Sequence, residues 1–454
     1  MSNLKEYREK IREPYWREVA DNIGGKLGDE LVLALKELYE IYTDDMLDWY
    51  AELYDPNTGA FFYSKSARDN EFVVHNGRSY RLLPDAESMC QAFHHTVSMG
   101  ITNDWREFFP KEILDKSVRF IRGLQDENGF FYHPQWGKEM VDSHVNRRSR
   151  DLVWCGNFLN DMKVQPIYDT PNGIKGERSA KFISEAEDGK AEEPKGPFIA
   201  EHFRTKEKYL EYLSGLDMKH NSYHCGNLLV TQLSQICTRD KQLEEAGADY
   251  RLLEMTVDWL DAQLNPITGH WDDKAGYYGV NGLLKTVSFY NTAKRPLLYP
   301  EAAARSAMDA MTDTAELSGI VDIFNTFWAV NNVCYNLRNC GFADGDERAD
   351  KIKAELMSRS PELVRISRDK ALPFKKPDGS FSYCPKMSSP TSQDMPVAIY
   401  GSYEGDINGN GLASVGLIEK MAGSLGISVK MPPLFSDKDG ERYRAMLIER
   451  ERKG

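Results

Sequence analysis

One short pattern recurs along the chain and narrows what it can fold into. An apolar run ends, Asn or Asp together with glycine makes a tight turn, and an aromatic residue follows two places later. It reads Asp55-Pro-Asn-Thr-Gly59-Ala-Phe61, Gln125-Asp-Glu-Asn-Gly129-Phe-Phe131 and Gln263-Leu-Asn-Pro-Ile-Thr-Gly269-His-Trp271. Pro377-Asp-Gly379-Ser-Phe381 is a looser copy, and a degenerate one is expected near Pro194-Lys-Gly196-Pro-Phe198. Gly59, Gly129 and Gly269 stand 70 and then 140 residues apart. A fixed period of this length marks one supersecondary unit used several times. The unit reads as a helix end, a turn at glycine, and an aromatic folding back over the helix ends.

Between the turns the apolar residues keep helical spacing. Leu31, Leu33, Leu35, Leu38 and Ile41 begin one such face; others run over 86–99, 113–124, 228–236, 252–260, 302–311 and 320–340. Alternating strand patterns are nearly absent, so the fold is expected to be all-α. Helical hairpins repeated in this way and closed on themselves need no capping repeats.

The Gln125 and Gln263 segments resemble the Gln–turn–Gly–aromatic repeats of the (α/α)-toroid enzymes. That group includes terpenoid cyclases, prenyltransferases, glycoside hydrolases, polysaccharide lyases and sugar epimerases. The resemblance spans residues 30 to 425 and implies an (α/α)6-type toroid. One toroid domain is expected over 1–430, interrupted by a Gly-, Pro-, Lys- and Glu-rich insertion at 161–203. A tail, 431–454, is expected to pack on its outside. Fold alone does not fix chemistry.

The net charge is −13, which argues against a nucleic-acid footprint and against attraction to anionic membranes. No apolar run is long enough to span a bilayer, and the charged start lacks a secretory core. The 7 cysteines are scattered without a C-x-x-C pair, which fits reduced thiols in a cytoplasmic protein. No metal and no cofactor are expected. Isoprenoid chemistry is the alternative, but Asp272-Asp-Lys-Ala-Gly276 lacks the last Asp of a metal-binding Asp-Asp-x-x-Asp, and no D-x-D-D occurs. A binding toroid without catalysis is the third class.

Aromatics make up 11% of the chain, which suits sugar faces better than phosphates. Six segments combine them with carboxylates, amides, Arg and His. Around Asp85, Glu87 and Gln91 share a helical face, Asp85 has the character of an N-cap, and either His94 or His95 points inward. His144, Arg147, Arg148 and Arg150 precede the spaced set Asp151, Trp154 and Asn157, with Arg148 suited to clamp a carboxylate. His220, His224 and Asn227 lie on one face. Trp271, Asp272 and Asp273 follow the best repeat and lead to Asn281, Lys285 and Tyr290. Asp322, Asn325 and Trp328 interrupt an apolar helix, where burying polar groups without partners is costly. Glu404 sits in a Gly-rich acidic loop before the last apolar helix.

The favoured function is cleavage of glycosidic bonds of oligosaccharides in a central cleft. In a hydrolase, two of Asp272, Asp273, Asp322 and Glu404 would serve as acid and base or nucleophile. In a lyase or epimerase, His224 or Tyr290 would take a proton, and Arg148 or Lys285 would steady the anion. Glu87, His94, His144, Trp154, His220, Asn227, Trp271 and Asn325 are the expected substrate contacts.

Overall fold

The computed structural model describes residues 2–70, 72–181 and 198–454. The described chain is predominantly helical, with only short two-stranded ladders such as Phe72–His75 with Arg78–Arg81.

Among the described residues six helices pack one on the next and are termed the inner helices: Ala86–Ser98, Val145–Asp161, Met218–Glu245, Tyr277–Ala293, Val321–Asn339 and a composite last one. The last begins at Ile407–Gly411, passes through a π-helical turn, Leu412–Gly416, and continues as Leu417–Leu425. Each packs on the next in sequence, and the last packs back on Ala86–Ser98. Neighbours approach closely where both carry small residues. A side-chain carbon added at Gly282 would lie 2.0 Å from Ser222 Oγ, and one at Gly226 would lie 2.7 Å from Lys285 Cβ. These two contacts advance together along both helices, so helices 218–245 and 277–293 run parallel.

Outer helices fill the spaces between inner ones. Leu252–Asp261 lies against helices 218–245 and 277–293, Pro300–Met311 against 277–293 and 321–339, and Gly345–Ser358 against 321–339 and 417–425. Gly25–Tyr39 packs on Ser360–Ala371, joining the two ends of the sequence. The tail extends this join. Arg12 donates from Nε to the Pro433 carbonyl at 3.0 Å, Tyr39 Oη donates to the Pro432 carbonyl at 2.9 Å, and helix Asp437–Lys453 packs on Asp45–Leu53.

The recurring turn explains its own residue types. Gly59, Gly129, Gly269 and Gly379 all take positive φ, between 67° and 88°, a region that costs other residues strain. Each also touches a neighbouring segment: an added carbon would meet the Ile113 carbonyl, the Asp169 carbonyl, the Ala303 amide and the Met46 amide, respectively. Three of those four contacts fall on helices, Lys111–Gly123, Pro300–Met311 and Asp45–Leu53. Two residues on, Phe61, Phe131, Trp271 and Phe381 are buried. The degenerate copy near Gly196 lies outside the described residues apart from Phe198, as does the 182–197 part of the expected insertion. Its preceding part is fastened to the second turn: Gln125 Nε2 donates to the Tyr168 carbonyl and Gln125 Oε1 accepts from the Tyr168 amide, both at 2.9 Å.

No helix among the described residues is long and apolar enough to cross a membrane. All seven cysteines are free, and five are buried.

Candidate functional site

A cavity of about 430 Å³ opens between the inner helices. Its lining draws on each of them, together with Tyr383 and Gln393 from the segment before the last one. Gln91, Arg150, Trp154, Tyr223, Asn227, Lys285 and Asn325 are among its hydrogen-bonding and aromatic groups. Arg150 and Trp154 are one turn apart on helix 145–161, as are Tyr223 and Asn227 on helix 218–245, so each helix turns one polar-aromatic stripe inward.

Lys285 is the most perturbed cation of the lining. Burial, and then the nearby Arg150, lower its ammonium to about 8. Its Nζ lies 5.7 Å from the centre of the Tyr223 ring, and among the described residues it has no carboxylate at ion-pair distance. Arg150 donates from Nε at 2.8 Å and from Nη2 at 2.5 Å to Glu87 Oε1, leaving Nη1 unbonded among the described residues. Tyr223 neighbours Tyr383 in the lining, and burial, then Tyr223 itself, hold the Tyr383 phenol well above its usual value. His95 places Nδ1 2.6 Å from Tyr50 Oη, and burial lowers it to about 3, so it is neutral.

Behind these groups stand buried carboxylates. Glu87 accepts from Arg150, from Arg147 Nη1 at 2.9 Å and from Gln91 Nε2 at 3.1 Å. Burial raises its carboxyl, but the two guanidinium groups outweigh that and hold it at about 2. Asp151 shares Arg147, yet burial prevails there and lifts it to about 6. Asp322 accepts from Asn281 Nδ2 at 2.8 Å, Ser318 N at 2.8 Å, Ser318 Oγ at 3.0 Å and Gly319 N at 3.2 Å. Asn281 Oδ1 in turn accepts from Asn325 Nδ2 at 2.8 Å. Asn325 is thereby fixed, with its own Oδ1 unbonded among the described residues.

Of the residues singled out from sequence, Gln91, His95, Arg150, Trp154, Asn227, Lys285, Asn325 and Trp328 are brought together in this lining, while Glu87 and Asp322 support it from behind. The others lie elsewhere. Asp272 is buried and accepts from the Ser222 amide at 3.0 Å, re-capping helix 218–245 just after its non-helical residue Asn221. Asp273 and His220 are exposed neighbours, with His220 Nδ1 2.9 Å from Asp217. His224 is exposed and outside the lining. Tyr290 donates to Asp261 Oδ1 at 2.7 Å, and Trp271 Nε1 donates to the Leu260 carbonyl at 2.8 Å; both face outer helix 252–261. Arg148 pairs with Asp142 at 3.0 Å and lies 4.7 Å from the centre of the Phe130 ring. His144 Nδ1 is 2.9 Å from the Met140 carbonyl. His94 stands 3.8 Å from Asp161. Glu404 accepts from the Ser66 amide at 2.7 Å and from Ser388 Oγ at 3.0 Å.

Sequence reasoning passed over Gln393 and Lys420 and gave Arg150 no separate weight. Arg150 carried a signal, its one-turn spacing to Trp154. Gln393 carried none: its hairpin, Thr391–Ser392 with Met395–Pro396, holds Gln393 and Asp394 at φ of 51° and 67° and delivers the side chain to the lining and to Asn146. Among the described residues no group of three His, Cys, Asp or Glu is placed to hold a metal ion.

No family model, curated protein or solved structure matches the chain.

Proposed function

We propose that the six inner helices close an (α/α)6 toroid and that its cavity cleaves glycosidic bonds beside a uronate by β-elimination. One observation carries the choice of elimination over hydrolysis. The only carboxylate among the described lining residues is the exposed Glu419, already bonded to Lys420 at 2.6 Å. Glycoside hydrolysis uses two carboxyl groups facing each other across the substrate. The lining instead offers cations, amides and phenols, the donors needed to hold a carboxylate and the charge that builds on it.

In this reading Lys285 and the free Nη1 of Arg150 hold the substrate carboxylate, and Asn227 and Asn325 fix sugar hydroxyls. Tyr223, entering the step as its phenolate with the Lys285 ammonium over its ring, takes the proton α to the carboxylate. Tyr383, kept protonated by burial, gives its proton to the leaving oxygen. The carbon–oxygen bond breaks as a carbon–carbon double bond forms next to the carboxylate, and a proton passing from Tyr223 to the neighbouring Tyr383 restores the pair.

The test incubates the purified protein with uronate and neutral oligosaccharides, following new reducing ends and the ultraviolet absorbance of the conjugated double bond. Elimination raises both signals together, on uronates alone, and Tyr223→Phe abolishes both. Reducing ends without absorbance restore the hydrolase reading. Silence in both channels from folded protein overturns cleavage altogether.

A further inference from the structure

The cavity has two unlike walls. Arg150, Tyr223, Asn227 and Lys285 come from helices 145–161, 218–245 and 277–293. The next two helices in the packing order present Val321, Phe324 and Trp328, spaced i, i+3 and i+7, with Leu412 and Val415 beside them. Phe324 meets Trp328 edge-on with ring centres 5.4 Å apart. Gly416 backs directly onto Phe324, where an added carbon would lie 2.9 Å from the ring. Leu412, Val415 and Gly416 all belong to the π-helical turn, a local irregularity that re-aims side chains and is frequent at ligand sites.

Val321, Phe324 and Val415 are already largely buried, while Trp328 and Leu412 keep part of their apolar surface open to the cavity, and covering that open part is favourable. A sugar alone would meet hydroxyl partners on the first wall but, of the second, chiefly Asn325 and Asn408. Phe324 and Trp328 meet at 65°, so the plate for a flat partner is one ring's face with the other ring's edge beside it.

We propose that the ligand is amphiphilic: a uronate bearing an aromatic substituent, whose ring lies on the Phe324–Trp328 plate while its carboxylate faces Arg150 and Lys285. This rests on the uronate reading above and names its substrate class, a glycoside with an aryl group rather than an unsubstituted sugar chain. Val415 and Phe324 become specificity-determining residues, and Lys420, whose Nζ lies 5.0 Å from the centre of the Trp328 ring, holds that indole in place.

Calorimetric titration of the full chain with glucuronate, para-nitrophenyl glucuronide and para-nitrophenyl glucoside tests this. The aryl glucuronide is expected to bind about tenfold tighter than either of the others, the return from covering one aromatic face and from one ionic clamp. Val415→Thr, close in shape, and Phe324→Leu are expected to lower affinity for the aryl glucuronide and leave that for glucuronate unchanged. Equal affinity for glucuronate and its aryl glycoside overturns the plate and leaves the uronate reading standing. Equal affinity for the two aryl glycosides overturns the uronate reading and this proposal with it.

Discussion

Lys285 is held in the cavity wall at an energetic cost to folding. Its ammonium falls from 10.5 to about 8, and a fall of that size corresponds to roughly 3 kcal/mol of folding stability. Because the folded state binds its proton less tightly than the unfolded chain, the full cost applies below pH 8. It shrinks between pH 8 and 10.5 and vanishes above. Lys285→Met keeps an unbranched stem and removes the charge. At pH 7 the variant is expected to be more stable than wild type by about 3 kcal/mol. For 454 residues, an unfolding entropy of about 2.1 cal/mol/K per residue makes that about 3 °C in Tm. Thermal and urea unfolding of both proteins from pH 6 to 10.5 measure the difference, which should close as pH rises. The same variant is expected to lose uronate binding. A variant no more stable at pH 7, or a gain that persists unchanged to pH 10.5, refutes the reasoning. Functional sites commonly trade stability in this direction.

Other residues give separate tests. Uronate affinity is expected to be flat below pH 8 and to fall above it, with proton uptake on binding near pH 8 in calorimetry run in buffers of different ionisation enthalpy. Asp322→Ala strands four donors and is expected to cost about 3 kcal/mol; a catalytic acid at that position would instead lose turnover with little change in unfolding. Glu87→Gln leaves Arg147 and Arg150 without their shared carboxylate and should cost about 3–5 kcal/mol by urea unfolding. The wild-type contribution of Glu87 is complete above pH 4.5 and is lost as pH falls toward about 2. Gly269→Ala puts a carbon 2.2 Å from the Ala303 amide at φ +67°; a loss of about 2 kcal/mol or more is expected, and no loss in unfolding refutes the role given to the turn.

Much of the local architecture was legible in the sequence because it depends on neighbours along the chain. The turn needs positive φ at Gly59, Gly129, Gly269 and Gly379, and only glycine supplies it without strain. Helical spacing placed Trp154, Asn227, Lys285 and Asn325 on inward faces for the same reason. The polar residues 281, 322 and 325 stood out in apolar helices, but whether they line a cavity or hold one another depends on a crossing between two helices. The crossing made Asp322 a buried anchor and Asn325 a wall residue. Asp272 looked like half of an acid pair, yet helix 218–245 bends at Asn221 and takes that carboxylate as a cap.

The sequence by itself thus determined the helical hairpin, its turn and the apolar faces, since backbone strain and side-chain periodicity are local. Only the tertiary structure decided which polar groups face the cavity. A charge is cheap or costly according to what surrounds it, and the surroundings of Lys285 and Arg150 come from Glu87, Tyr223 and Tyr383, as far as 198 residues from Lys285 along the chain.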